Sequence, residues 1–284
     1  MKIFHSELSA NPGFFSFGYS VYARLEPSDT LTDVYEAGFL PSVILADEPD
    51  VFYMTRGTRV RVQEFKELHK IGRVARKVEQ LEPKISITVH AKKDFPISDD
   101  FVDFCLRYFS FRHGSGSMPK ERLLAILASP FLTHISEYKL GDTTVAYILE
   151  IHGDNFIHSW YYAYDKAHEG THLGAYLLLD LIRRAKVSEK KYAYMGVTYG
   201  PWMHYKTNYQ PLEYWNGHTW VHDPKSEQLK KLLATDHFRT LTMTDEWRDA
   251  KKQFYPPLYK HGASAWMRRI LSFFAARYPK TFGA

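Results

Sequence analysis

A single cysteine, Cys105, among 284 residues rules out an internal disulfide framework and any zinc or iron–sulfur site built on thiolates. It falls within FVDFCLRYF, a predicted helix, where a buried structural thiol is expected. No apolar run approaches the ~20 residues that span a bilayer. The N-terminal MKIFHSELSANPG also lacks the apolar core of a secretion signal, so a soluble, cytoplasmic protein is expected. Internal repeats and low-complexity linkers are missing. So are H-E-x-x-H, a phosphate loop and an ordered Ser-His-Asp set. His168 and His172 stand four apart, but they flank Gly170 at a predicted loop–helix junction, and no metal site is expected there. Neither sign of charge dominates: the net charge of +5 permits a polyanionic partner without requiring one.

What the chain has in quantity is aromatic residues, 16% of the total, with Tyr the most common of them. They favour half-buried strands and flat apolar surfaces with a polar tip. Hydrophobic residues at 45% and charged residues at 24% are ordinary for a globular protein, as one large domain or two small ones. Residues 14–25 read as a strand or strand pair. Asp29 is placed to cap a short helix through Leu31, Val34 and Tyr35 that ends at Gly38. VFYMTRGTRVRV (51–62) reads as a hairpin around Gly57. Residues 64–80 read as a helix with Phe65, Leu68, Ile71, Val74 and Val78 on one face. Its opposite face carries Lys66, Lys70, Arg73, Arg76 and Lys77. KISITVH (84–90) is a predicted strand.

Ser98 caps a predicted helix whose apolar face is Phe101, Phe104, Cys105, Tyr108 and Phe109. GSGSMP breaks it, and a second helix follows over 119–128. HISEYKL, TTVAYILEIHG and NFIHSWYYAYD form an antiparallel meander with turns at Gly141-Asp142 and Gly153-Asp154-Asn155. A strong helix, THLGAYLLLDLIRRAKV, and a strand, KKYAYMGV, come next. From residue 224 the pattern is helices and loops, with a basic amphipathic helix over 263–280. Three antiparallel strands, a helix and a strand are in the order of a GNAT acyltransferase core. The expected fold is α+β: a small N-terminal α+β unit (1–95), a GNAT-like catalytic domain (96–223) and a helical C-terminal extension (224–284).

A run of short motifs is collinear along the chain. FRHGSGSM (111–118) and SEYKL (136–140) precede Tyr164-Asp165 and Leu173-Gly174. Then come Tyr192-Ala193-Tyr194-Met195-Gly196 and Met203-His204-Tyr205-Lys206, followed by Tyr209, Pro211 and Glu213. DVYEAGF and VRVQEFK…RVARK lie upstream. Together they resemble the arginyl-tRNA–protein transferases over roughly residues 30–222. The chain departs from that family in having no N-terminal cysteine cluster, in Lys166 where the family has Pro, and in Trp202 where it has Lys. The metal or redox site implied by the cluster is therefore not expected.

The resemblance implies transfer of an aminoacyl group from aminoacyl-tRNA to an amine, typically the N-terminus of a protein or peptide. No cofactor is implied beyond the tRNA co-substrate. The ester is already activated, and an α-amine has a pKa near 8, so the protein must mainly position the reactants and stabilise an oxyanion. Main-chain N–H groups around residues 161–165 and 194–196 are candidates for that stabilisation, and Tyr162 and Gly196 are candidate substrate-binding residues there. Asp165 either orients the amine or caps a turn at a strand end. Tyr164, Tyr194 and Tyr205 either stack on the terminal adenine and donate to the ester, or pack the core. Lys206 can meet a phosphate, and Glu137 a cationic aminoacyl side chain. Gly114, Ser115 and Gly116 form either a loop of free N–H groups or a plain turn. The basic face of the 64–80 helix is a candidate for the tRNA backbone, or a solvated face. Two other readings stand beside this one. An acyl-CoA-dependent GNAT needs a pyrophosphate loop that Thr171–Tyr176 matches poorly. A non-catalytic RNA- or partner-binding descendant would fit the loss of the cysteines.

Overall fold

The computed structural model describes residues 1–6, 20–42, 50–114 and 116–236. In chain order the strands and helices are β1 (Lys2–Ser6), β2 (Ser20–Arg24), α1 (Leu31–Glu36), β3 (Phe39–Pro41), β4 (Val51–Met54), β5 (Gly57–Arg61) and α2 (His69–Glu79). They continue with β6 (Ile85–Ala91), α3 (Asp99–His113), α4 (Lys120–Ala128), β7 (His134–Leu140), β8 (Thr143–His152) and β9 (Phe156–Tyr164). Last come α5 (Leu173–Val187), β10 (Tyr192–Val197), β11 (Leu212–Trp215), β12 (Trp220–His222) and α6 (Glu227–Thr235).

The strands build two sheets, a four-stranded one ordered β1-β2-β4-β3 and an eight-stranded one ordered β12-β11-β5-β10-β9-β8-β7-β6. The β7–β8–β9 meander is antiparallel, and α5 then carries the chain across to β10, which pairs parallel to β9. The α+β class and the GNAT-like strand order are therefore those expected. Ser98 caps α3 by accepting from the Phe101 N–H, and Gly114 ends that helix at φ +92°. Cys105 is buried, and burial pushes its thiol up to about 12, so it packs as a small hydrophobe.

Three expectations need correction. The 51–62 segment is no hairpin: β4 pairs with β2 and β3 in the small sheet, whereas β5 sits between β10 and β11 in the large one. Thr55 and Arg56 switch the chain between sheets, and Arg56 is buried there. Thr30, not Asp29, caps α1 through a reciprocal capping box with Asp33. Asp29 instead pairs with the Met1 ammonium. Leu68 lies before the first turn of α2 and is 59% exposed, while Phe65, Ile71 and Val78 are buried. Strands β5 and β6 precede residue 95 and belong to the large sheet, while β1–β4 pair among themselves in the small one. The helix expected over 263–280 and most of the 224–284 extension lie outside the described residues.

The main core fills the space between the large sheet and α2–α5, with Leu177, Leu178, Leu181, Ile148 and Ile126 at its centre. A second core joins the small sheet to the large one through Val34, Tyr35, Phe39, Phe52, Phe156, Tyr194 and Trp215. Among the described residues no helix is long and apolar enough to cross a membrane.

Candidate functional site

Strands β9 and β10 run together only briefly. Their parallel pairing ends at Tyr194 opposite His158, and each strand is bulged just beyond. On β9, Trp160 is the extra residue between the pairs Tyr161–Leu149 and Ser159–Glu150. On β10, Met195 and Gly196 together face Thr58, between the pairs Tyr194–Arg59 and Val197–Gly57. A bulge breaks the alternation of side chains and bends the strand. So consecutive residues from His158 to Tyr162 reach one cavity of about 180 Å³, across from Met195, Gly196 and Val197. Gly196 sits at φ +74°, backbone that L side chains rarely adopt, which is what this bulge asks of it.

The rest of the wall comes from three places. Leu40, Pro41 and Tyr53 belong to the small sheet; Tyr108, Phe109, His113, Ser117, Met118 and Arg122 to α3, α4 and their connection. Met203, Tyr205 and Lys206 come from the 3₁₀ segment Pro201–Asn208. The wall is mostly apolar and aromatic, its charged side chains are basic, and no Asp or Glu among the described residues lines it.

Lys206 is 4% exposed, and its Nζ donates to the carbonyls of Met195, at 2.6 Å, and Val197, at 2.7 Å. No carboxylate among the described residues pairs with it, and burial pushes its pKa down to about 7. Near neutral pH much of it is an amine: two N–H bonds are held by the carbonyls, and the lone pair remains. His158 is 1% exposed. Its Nδ1 lies 2.8 Å from the Tyr35 hydroxyl, and its Nε2 has no partner and is closed to solvent. Burial first, and the neighbouring Lys206 charge second, bring it down to about 3, so the ring stays neutral. Ser159 Oγ is likewise buried without a partner. A buried polar group left unpaired costs about 1–3 kcal/mol, an expense commonly met at ligand sites. Neither His158 nor Arg122 was singled out from the sequence, where one is among 14 histidines and the other lies in an ordinary amphipathic helix.

Of the expected site residues, the fold brings Tyr162, Gly196, Tyr205 and Lys206 to the cavity, the two tyrosine hydroxyls 3.0 Å apart. The others stand elsewhere. Tyr194 is sealed in the second core, where its hydroxyl accepts from Arg59 at 2.9 Å; its side chain leaves β10 on the face away from the cavity. Tyr164 packs among Tyr108, Phe111 and Tyr162, and its ring lies so close to Gly174 that a Cβ there would be 3.1 Å away. Asp165 is exposed and caps a 3₁₀ turn, accepting from the Ala167 N–H at 2.8 Å. Glu137 is held on β7 by Thr144 at 2.7 Å, with Lys139 and His90 beside it. Gly114 and Gly116 have open space around them and do not line the cavity, though their neighbours His113, Ser117 and Met118 do. Ser115 lies outside the described residues. Lys66, Lys70, Arg73, Arg76 and Lys77 are all exposed, the last beside His172 at 3.3 Å. Among the described residues no group of three or more His, Cys, Asp or Glu is placed to hold a metal ion.

Residues 100–216 match the family model described as arginine-tRNA-protein transferase, C terminus. Two similar proteins are named aspartate/glutamate leucyltransferase. That of Maricaulis maris is 30% identical over 142 residues, covering 44% of this chain and 55% of the relative. That of Parvibaculum lavamentivorans is 27% identical over 210 residues, covering 71% of this chain and 84% of the relative. The chain thus spans only about half the length of the first of these. Among solved structures, the C-terminal DUF2156 domain of an Agrobacterium fabrum protein assigned as a lysylphosphatidylglycerol synthetase aligns at TM-score 0.40. It is 8% identical, with 59% of this chain and 51% of that one covered.

Proposed function

We propose that this chain, whose residues 100–216 match the family model described as arginine-tRNA-protein transferase, C terminus, is an aminoacyltransferase that moves an amino acid from aminoacyl-tRNA to the N-terminal amine of a protein or peptide. The observation that carries this reading is Lys206, a buried amine without a counter-charge at the fork of β9 and β10. A base with a pKa near the working pH is well suited to take a proton from an attacking ammonium. The acceptor ammonium gives its proton to Lys206 Nζ, and its nitrogen then forms the bond to the ester carbon. The bond from that carbon to the ribose oxygen breaks, Lys206 returns its proton to that oxygen to make the ribose hydroxyl, and the second proton lost by the nitrogen as it becomes an amide passes to solvent. The reaction as proposed draws on no cofactor.

The wall also favours a particular pair of substrates. An apolar, aromatic cavity without carboxylates suits an uncharged aminoacyl side chain better than an arginyl one, in keeping with the relatives' name. Arg122, which has no carboxylate partner among the described residues, suits an acceptor that begins with Asp or Glu. The exposed Lys66, Lys70, Arg73, Arg76 and Lys77 are proposed to follow the tRNA backbone. A charged tRNA as donor is a reason to expect the protein in the cytoplasm.

The test is incubation with isotopically labelled aminoacyl-tRNAs and peptides that begin with Asp, Glu or Ala, read by mass spectrometry. Leucine or another apolar residue added to the acidic peptides is the expected product. No addition from any charged tRNA contradicts the reading.

A further inference from the structure

Resting on that reading of the cavity, we propose that His158 is a catalytic residue whose Nε2–H donates to the oxyanion formed during transfer, and that Tyr35 is the positioning residue that fixes this tautomer. Hydrogen-bond accounting supports it. Among the described residues the Tyr35 hydroxyl has one partner, His158 Nδ1, at 2.8 Å. When the hydroxyl donates to Nδ1, both groups are satisfied and the ring proton is on Nε2. In the other tautomer Nδ1–H donates to the Tyr35 oxygen, and two buried groups are then stranded, the Tyr35 O–H and the Nε2 lone pair. The first arrangement leaves only one polar group without a partner.

That one group stands where the chemistry needs a donor. His158 is the last residue of β9 paired with β10, at the point where the strands part. A Cβ on Gly196 would lie 3.8 Å from Nε2, at ordinary van der Waals distance. Lys206 is close enough to influence the ring electrostatically, and Ser159 Oγ is a second unpartnered group in the same wall. A neutral imidazole held as a donor needs no reorganisation as charge develops. In the step itself the acceptor nitrogen bonds to the ester carbon and the carbonyl π pair moves to oxygen. Nε2–H meets that O⁻. Collapse restores the C=O and breaks the bond to ribose.

Two amide variants separate the nitrogens. His158→Asn places an N–H near the Nδ1 position, and His158→Gln places one near Nε2. With folding checked by thermal melting, kcat for transfer from charged tRNA should fall about 100-fold for Asn and stay within about 10-fold for Gln, at unchanged KM. Equal kcat for the two variants overturns the assignment, whether both are impaired, as a base would require, or both active. Independently, ¹⁵N NMR of the wild type should show His158 protonated at Nε2 and bare at Nδ1. The reverse tautomer overturns the proposal. Tyr35→Phe should relax the preference. A wild type that transfers nothing defeats the transferase reading and the catalytic assignment with it, whatever the tautomer. An active wild type with equal variants defeats this assignment alone.

Discussion

In the proposed transfer, Lys206 is the residue on which the chemistry turns. Its base form is the amine, so the proposed activity is lost as pH falls below its pKa. In single-turnover transfer the rate should therefore rise with pH through about 7, and Lys206→Met should abolish that rise. Asp165 is the contrary case. It caps an exposed turn away from the cavity, so Asp165→Asn, which keeps the capping oxygen, should leave kcat within about twofold. The motifs made Tyr162, Gly196, Tyr205 and Lys206 legible, because each lies in a short stretch with its own chemical character. Tyr164, Asp165 and Tyr194 lie in the same stretches yet turn away. Which side chains of a strand face a cavity depends on where it bulges, and neither the bulge at Trp160 nor that at Met195–Gly196 has a signature strong enough to read beforehand. His158 went unnoticed for the same reason.

At the level of elements, the meander and the helices α3–α5 were readable because each is bounded by its own turn or cap residues. Ser98, Gly114, Gly141 and Gly153 mark such ends. The placement of β5 was not readable. VFYM and GTRVR look like partners in a hairpin, but pairing is decided by what lies beside each strand. Arg59 on β5 joins Glu213 at 2.7 Å and the Tyr194 hydroxyl and stacks on Tyr192 and Trp220, contacts made within the large sheet, and it reaches Glu36 at the end of α1 at 2.8 Å. The start of α5 offers a test of packing. Gly174 admits the Tyr164 ring at a distance that leaves no space for a branched side chain, so Gly174→Val should lower stability by about 1–3 kcal/mol in urea denaturation.

At the scale of the molecule, two ion pairs tie distant parts together. Asp236, just past α6, grips buried Arg56 at 2.9 Å and accepts from the Gly200 N–H at 2.8 Å. It thereby fixes the start of the segment that carries Tyr205 and Lys206. Asp236→Ala should cost about 2 kcal/mol, measured by denaturant titration. Beneath the sheet, Glu150 is fully buried. Burial alone would raise its pKa, but Arg184 and His152 outweigh that and hold it at about 2. A depressed carboxylate pKa stabilises the fold above its unfolded value and loses that stabilisation as pH falls. Glu150 should therefore contribute about 3 kcal/mol at neutral pH, declining from about pH 4.5 toward pH 2. Glu150→Gln should flatten the stability profile over that range. The tethers and the buried cluster support one cavity, and the claim that transfer takes place there is tested most directly by the single-turnover rate of Lys206→Met with saturating charged tRNA at pH 8. A fall of about 100-fold or more, with tRNA affinity unchanged, is the predicted result. A rate equal to that of the wild type would contradict it.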